Sequence, residues 1–194
     1  MTKNSDNIRV YGDLSSEVFL AAKGTVLPTP TTFSLTADPT GFKGLGWMSE
    51  DGVNLTLSTD VEKFKGWQGG TTVRTKVTSV EKTFSVTALE EAPAVTELYW
   101  GHKAVTAADV TGTGAAKVAK IVIPEGMGTI SRAAVIRFVD GGVQKWFCCS
   151  NVEITERGEL PHTNSDMTAY EFTFDVIGEA YILTNAPAYT EVSA

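Results

Sequence analysis

The sequence predicts a mainly β protein of two packed antiparallel sheets, sandwich-like or barrel-like, with one short flanking helix. Three observations carry this expectation. Apolar residues alternate with polar ones through much of the chain, Gly, Asp, Asn and Pro interrupt the pattern at regular intervals, and one stretch alone has a short helix's spacing with both ends marked. At 194 residues the chain can bury one sizeable core. Residues 1–194 therefore read as a single domain, with 1–16 and 186–194 as terminal segments that fray or become ordered only on assembly.

Residues 41–91 pack an acidic turn, a short strand, an amphipathic connector and a long Thr/Val-rich strand into one run. Ser49-Glu50-Asp51-Gly52 crowds three oxygen-bearing side chains together, but an EF-hand loop spreads its ligands over twelve positions. A β-turn with Gly52 at positive φ is expected instead. In the connector, 60–70, Val61, Phe64 and Trp67 recur every three residues with Lys63 and Lys65 between them, which suits a short helix or a loop with an apolar edge. Such an edge packs either on its own sheet or on a neighbouring copy, where the lysines would meet acidic groups.

The segment 71–89 contains strand formers and no Gly, Pro, Asn or Asp. Its apolar residues fall on odd positions early (Val73, Val77) and even positions late (Phe84, Val86, Ala88), so the parity flips near 79–82. A flip implies a bulge or a corner at which one strand passes between two sheets; a tight hairpin near Ser79 is the competing possibility. A helix is expected over 93–100, with Glu90 and Glu91 before it, Pro93 in its first turn, an apolar stripe of Val95, Leu98 and Tyr99, and Gly101 to close it. Beyond it, 111–114 and 124–128 read as loops bounding a strand over 117–123. Asp140-Gly141-Gly142 joins two β-rich runs across 132–154, the strongest local hairpin signal in the chain. In 169–177, Tyr170, Phe172, Phe174 and Val176 share one face of a strand while Glu171, Thr173 and Asp175 share the other.

Composition narrows the function classes. The net charge is −7 and no Lys or Arg run appears, so tight binding to nucleic acid is not expected. The N-terminus lacks an apolar signal region and no apolar run approaches the ~18 residues of a membrane span, which predicts a protein neither secreted nor membrane-inserted. Cys148 and Cys149 are adjacent on a strand and point to opposite faces, so two reduced thiols are expected, at least one of them packing as a small apolar residue. His102 and His162 have no metal-ligand or catalytic spacing and read as surface or loop residues. The Gly-rich run 112–117 lacks a P-loop's spacing. No nucleophile, base and orienting residue can be named together, so neither an enzyme nor a cofactor or metal site is predicted.

The runs Trp47-Met48-Ser49-Glu50-Asp51-Gly52 and Phe64-Lys65-Gly66-Trp67-Gln68-Gly69-Gly70 resemble the major tail tube proteins of long-tailed, siphovirus-type bacteriophages. The resemblance is strongest over 41–101. It rests on an order of features: a GW-x-SEDG turn, a strand, a K-x-W-x-GG connector, a strand opening on VRT, then a short helix ending in an aromatic residue and Gly. Residues 133–178 fit the family in pattern, as a DGG hairpin followed by an alternating aromatic strand.

The resemblance implies the tail-tube fold and a structural virion protein that forms six-membered rings. Those rings would stack into the hollow tube through which DNA reaches the host. It implies contacts with further copies of itself, a tape measure protein, a tail terminator and a distal tail or baseplate protein. DNA would pass without being held, no membrane would be engaged, and assembly would occur in the bacterial host cytoplasm. Carried onto this chain, Val61, Lys63, Phe64, Lys65, Trp67, Arg74 and Lys76 become ring–ring or subunit–subunit contacts, with 60–70 as the ring-to-ring element and 74–76 and 80–89 in bore-lining or inter-subunit strands. Glu171 and Asp175 would face either the bore or the outer surface. Two other readings stay open: a type VI secretion-like tube protein, and a monomeric β-sandwich binding or decoration domain using Trp47, Trp67 or Trp100 as a stacking platform.

Overall fold

Ten strands and two short helices organise the chain, described over residues 4–191 of the computed structural model. The outermost parts of both terminal segments, 1–3 and 192–194, lie outside the described residues. In chain order the elements are β1 (Glu17–Ala22), β2 (Lys43–Gly44), β3 (Met48–Lys65), β4 (Thr72–Ala88), α1 (Pro93–Trp100), β5 (Val110–Thr111), β6 (Val118–Ala119), β7 (Ser131–Asp140), β8 (Val143–Arg157), β9 (Tyr170–Val176), β10 (Ala180–Thr184) and α2 (Pro187–Thr190).

All pairings are antiparallel, and eight strands form one sheet in the order β2-β1-β7-β8-β9-β4-β3, with β10 also on β8. β5 and β6 make a separate two-stranded sheet. The large sheet is not closed into a barrel, because β2 and β3 end its path. β8 is the hinge of the architecture. One edge of it pairs with β7, while the other is divided between β10 over 145–149 and β9 over 152–157.

The sheet's centre is apolar on both faces, and side-chain alternation explains how. Val18 and Leu20 of β1, Ala134 and Ile136 of β7, and Cys149 and Val152 of β8 face the main core, where they meet Phe84, Val86, Phe172 and Phe174. Phe19, Val135, Trp146 and Cys148 face the opposite way and are covered by Leu27, Phe33 and Phe42 from the 23–42 loop. Arg137 fastens that second layer. Buried against the ring of Phe19, it donates from Nε to the Ser15 carbonyl at 2.6 Å and from Nη1 to Asp38 Oδ1 at 2.8 Å.

The adjacent cysteines thus lie in different clusters, both free and fully buried. Burial pushes each thiol from an ordinary 9.0 up to about 12. An acid whose folded-state pKa is raised keeps its proton in the fold and loses it on unfolding, so its contribution to stability is present below the unfolded value and fades as pH climbs through the folded one. Stability against urea is therefore expected to fall between about pH 9 and pH 12, more steeply than in a Cys148→Ala/Cys149→Ala variant. At pH 8 a thiol reagent is expected to modify neither residue until the chain unfolds. Rapid labelling of the folded protein would contradict this packing.

α1 forms where the sequence places it. Gly101 closes it in the left-handed region at φ 67°, its N–H donating to the Glu97 carbonyl. Val95 and Leu98 enter the main core, Tyr99 Oη donates to the Gly158 carbonyl at 2.8 Å, and Arg157 Nε donates to the Leu98 carbonyl at 3.0 Å. The hairpin of β7 and β8 turns through Gly141, at φ 58°, and Gly142. The alternation of β9 is as expected, with Tyr170, Phe172 and Phe174 buried.

Several expectations are corrected. Residues 49–52 form an irregular stretch within β3 rather than a free turn, since Met48 is opposite Ala88 and Val53 opposite Val86; Gly52 does take positive φ, at 64°. The expected strand over 117–123 shrinks to β6, because among the described residues no strand edge pairs with Ile121, Val122 and Ile123, which are left exposed. His102 lies in the loop after α1, within the surface-or-loop expectation, but not at the surface. It is buried behind α1, with Nε2 3.0 Å from Thr96 Oγ1 and Nδ1 2.7 Å from the Lys103 carbonyl.

Candidate assembly surface

β3 and β4 begin inside the fold and leave it. β4 pairs with β9 only over 83–88, whereas β3 and β4 pair with each other out to Lys65 and Thr72. Residues 57–82 therefore form a two-stranded ribbon, an arm exposed on both faces. Its tip turns through Gly69 and Gly70, both at positive φ (71° and 64°), and is closed by the Gly66 N–H donating to the Thr71 carbonyl at 2.8 Å. Trp67 stands on that tip, 95% exposed.

The connector expected as a helix or loop over 60–70 is thus the end of β3 plus the turn. Spacing by three lines up one face on a helix but alternates faces on a strand. Val61 and Phe64 consequently lie on opposite faces of the ribbon. Val61 shares its face with Lys63, Lys65 and its partner Val77, while Phe64 shares the other with Glu62, Lys76 and its partner Arg74. The seven residues expected at a contact do come together, all within the outer part of the arm.

The parity flip expected near 79–82 is a bulge at Thr78. Asp60 is opposite Ser79 and Val61 opposite Val77, which leaves Thr78 unpaired. Asp60 holds the irregularity, accepting from Ser79 Oγ at 2.8 Å and, through its carbonyl, from Thr78 Oγ1 at 3.2 Å. Its effect is to keep Val77 and Val80 on one face. That face is the core face prolonged: Val53, Val86, Phe84 and Leu55 at the root, then Leu57, Val80, Val61 and Val77 outward. The chain passes from sheet to free ribbon here, rather than from one sheet to another.

Leu57 is 67% exposed on this strip, and Leu55, Val77 and Val80 are exposed too. Of these four only Val80, in the stretch 80–89, falls within the contact elements that the resemblance implies; Leu55, Leu57 and Val77 do not. The alternation of Val53, Leu55 and Leu57 with polar neighbours was the available signal, but alternation alone does not say whether an apolar face is covered. An isolated two-stranded hairpin is marginal in water, so an apolar strip on a free ribbon calls for a partner surface.

Other segments also show apolar side chains to solvent: Ile8, Val10 and Leu14 near the N-terminus, and Val118, Ile121, Val122, Ile123 and Met127 around the small β5–β6 sheet. Glu171 and Asp175 lie on the face of β9 turned from the core, Glu171 exposed and Asp175 half-buried within 3.5 Å of Thr155 Oγ1. Among the described residues no group of three or more His, Cys, Asp or Glu side chains could hold a metal ion, and no helix is long and apolar enough to cross a membrane.

A β domain with an exposed apolar strip on a projecting arm, and no metal-binding cluster among its described residues, has the makeup of a protein that works through surface contacts. The chain belongs to the phage tail tube protein family, whose model matches residues 1–190. It is a structural component of the phage tail, hence of the virion, and not an enzyme. No curated protein matches the sequence. Among solved structures it is similar to a chain in the tail of an empty GTA particle computed with C6 symmetry, at 9% identity and TM-score 0.47, covering 94% of this chain and 99% of that one. It is also similar to a chain in the 6-fold symmetrised baseplate of the anti-feeding prophage, at 10% identity and TM-score 0.42, covering 94% and 97%.

Proposed function

We propose that this chain self-assembles into six-membered rings that stack into the hollow tail tube of a long-tailed phage, through which DNA passes into the host. One observation supports the reading most: the β3–β4 arm carries the core's apolar face out into solvent, where a second copy can cover it. Val61, Lys63, Phe64, Lys65, Trp67, Arg74 and Lys76 are the proposed contacts, together with Leu57, Val77 and Val80. Covering the outer edge of β3 would also protect a long exposed strand from indiscriminate pairing.

The charge balance fits a conduit. DNA carries one negative charge per ~1.7 Å of axis, so a basic lining would hold it by many contacts at once, whereas an acidic or neutral lining lets it slide. Glu171 and Asp175 are proposed for that lining. Ring stacking, a tape measure protein within the bore, and a terminator and a baseplate protein at its ends complete the proposed set of partners. Assembly would take place in the host cytoplasm.

Negative-stain electron microscopy of the purified protein over a concentration series tests this. Rings or hollow tubes that increase with concentration are the expected result; monodisperse particles near 20.7 kDa at every concentration would count against self-assembly.

A further inference from the structure

The arm is basic, and a groove rich in acids lies at its root. Residues 61–77 hold Lys63, Lys65, Arg74 and Lys76 against a single acid, Glu62, in a chain whose net charge is −7. None of these cations forms an ion pair among the described residues. At the arm's root, between the N-terminal segment and the start of β3, lies an open groove of about 770 Å³. Its apolar walls come from Tyr11, Leu14, Trp47, Met48, Val53 and Leu55, and its acids are Asp13, Glu17, Glu50, Asp51 and Glu90.

Three of those acids are already engaged. Asp13 accepts from the Gly141 N–H, Glu90 from the Trp47 N–H, and Glu17 from the Gly46 N–H while lying 4.0 Å from Arg137. The groove's two cations are engaged as well, Arg137 with Asp38 and Lys145 over the rings of Tyr11 and Phe138. Glu50 and Asp51 are left exposed, with no side-chain partner among the described residues. Beside them Ser49 Oγ is shut away from solvent without a hydrogen-bond partner among the described residues.

We propose that the arm of one copy docks in this groove on a second copy, Lys63 and Lys65 meeting Glu50 and Asp51 while Trp67 at the tip fills the apolar part. The inference rests on the tube reading above and names the surface its contact uses. A chain's own tip cannot reach its own groove, because the pairing of β3 with β4 carries Lys65 roughly 40 Å from Val53 at ~3.3 Å per residue. The occupant must be another molecule, and the complementary charge makes it a second copy. An arm-in-groove contact joins two different surfaces. Repeated head to tail, it closes a ring or continues as a stack.

The test is a charge swap read by sedimentation and electron microscopy of the full chain. Glu50→Lys/Asp51→Lys and Lys63→Glu/Lys65→Glu, each folded by circular dichroism, are expected to raise the concentration needed for polymerisation by about tenfold or more. The four-substitution variant carrying both changes is expected to assemble nearly as the unaltered chain does. Either two-site variant assembling normally, or the combined variant staying dispersed, would overturn the docking while leaving tube assembly in place. An unaltered chain that never polymerises would remove the tube reading and the docking together.

Discussion

Replacing Phe64 and Trp67 together by alanine is expected to give a protein with unchanged circular dichroism that no longer polymerises. Both side chains are exposed on the arm, and Trp67 is 95% so, hence their removal costs the monomer little, within about 0.5 kcal/mol each. At a contact the same residues act differently. Large aromatic anchors in interfaces commonly contribute about 2 kcal/mol or more apiece, and a tube repeats the loss at every copy. Sedimentation velocity on the folded variant should show only the monomer at concentrations where the unaltered chain forms polymer. Loss of the folded signal would mean that these are core residues, and normal polymerisation would mean that the arm's tip is not a contact.

Phe84→Ala is expected to do the reverse and strike the fold first. Phe84 is fully buried, stacks on Phe174 with ring centroids 4.7 Å apart and planes 12° from parallel, and lies opposite Leu55 where the arm leaves the sheet. Emptying that site costs the transfer energy of the ring plus a cavity, about 3–5 kcal/mol. A domain has only ~5–15 kcal/mol in total, so the variant should unfold at a much lower urea concentration with little change in slope. Because the same ring anchors the arm's root, polymerisation should weaken as well. A shift below about 1 kcal/mol would mean that the root of the arm is not held by this stack.

What could be read in advance divides along the range of the interactions involved. The β7–β8 hairpin, α1 with its Gly101 cap, and the two faces of β9 all depend on neighbours within a few residues, and all were legible. The bulge was legible as well, displaced by one residue, because a period of two cannot change parity without an extra residue. Residues 60–65 were not. Their spacing by three suits a helix locally, and only pairing with 72–79 makes them a strand. The same limit applies to 117–123, whose composition favours a strand but whose partner edge is missing from a single chain, and to His102, whose burial depends on how α1 meets the following loop. Of the proposed contact surface, Val61, Lys63, Phe64, Lys65 and Trp67 stand out by spacing and composition, Arg74, Lys76 and Val80 enter only through the resemblance, and Leu55, Leu57 and Val77 emerge once the core face is seen to run on past the core.

A cryo-electron microscopy reconstruction of the polymerised protein tests the central claim most directly. The account predicts that the ribbon 57–82 of each copy lies against a neighbouring copy, with Trp67 buried there and the apolar strip of Leu57, Val61, Val77 and Val80 covered. An arm that stays in open solvent within a well-formed tube, or copies that meet only through other surfaces, would contradict it.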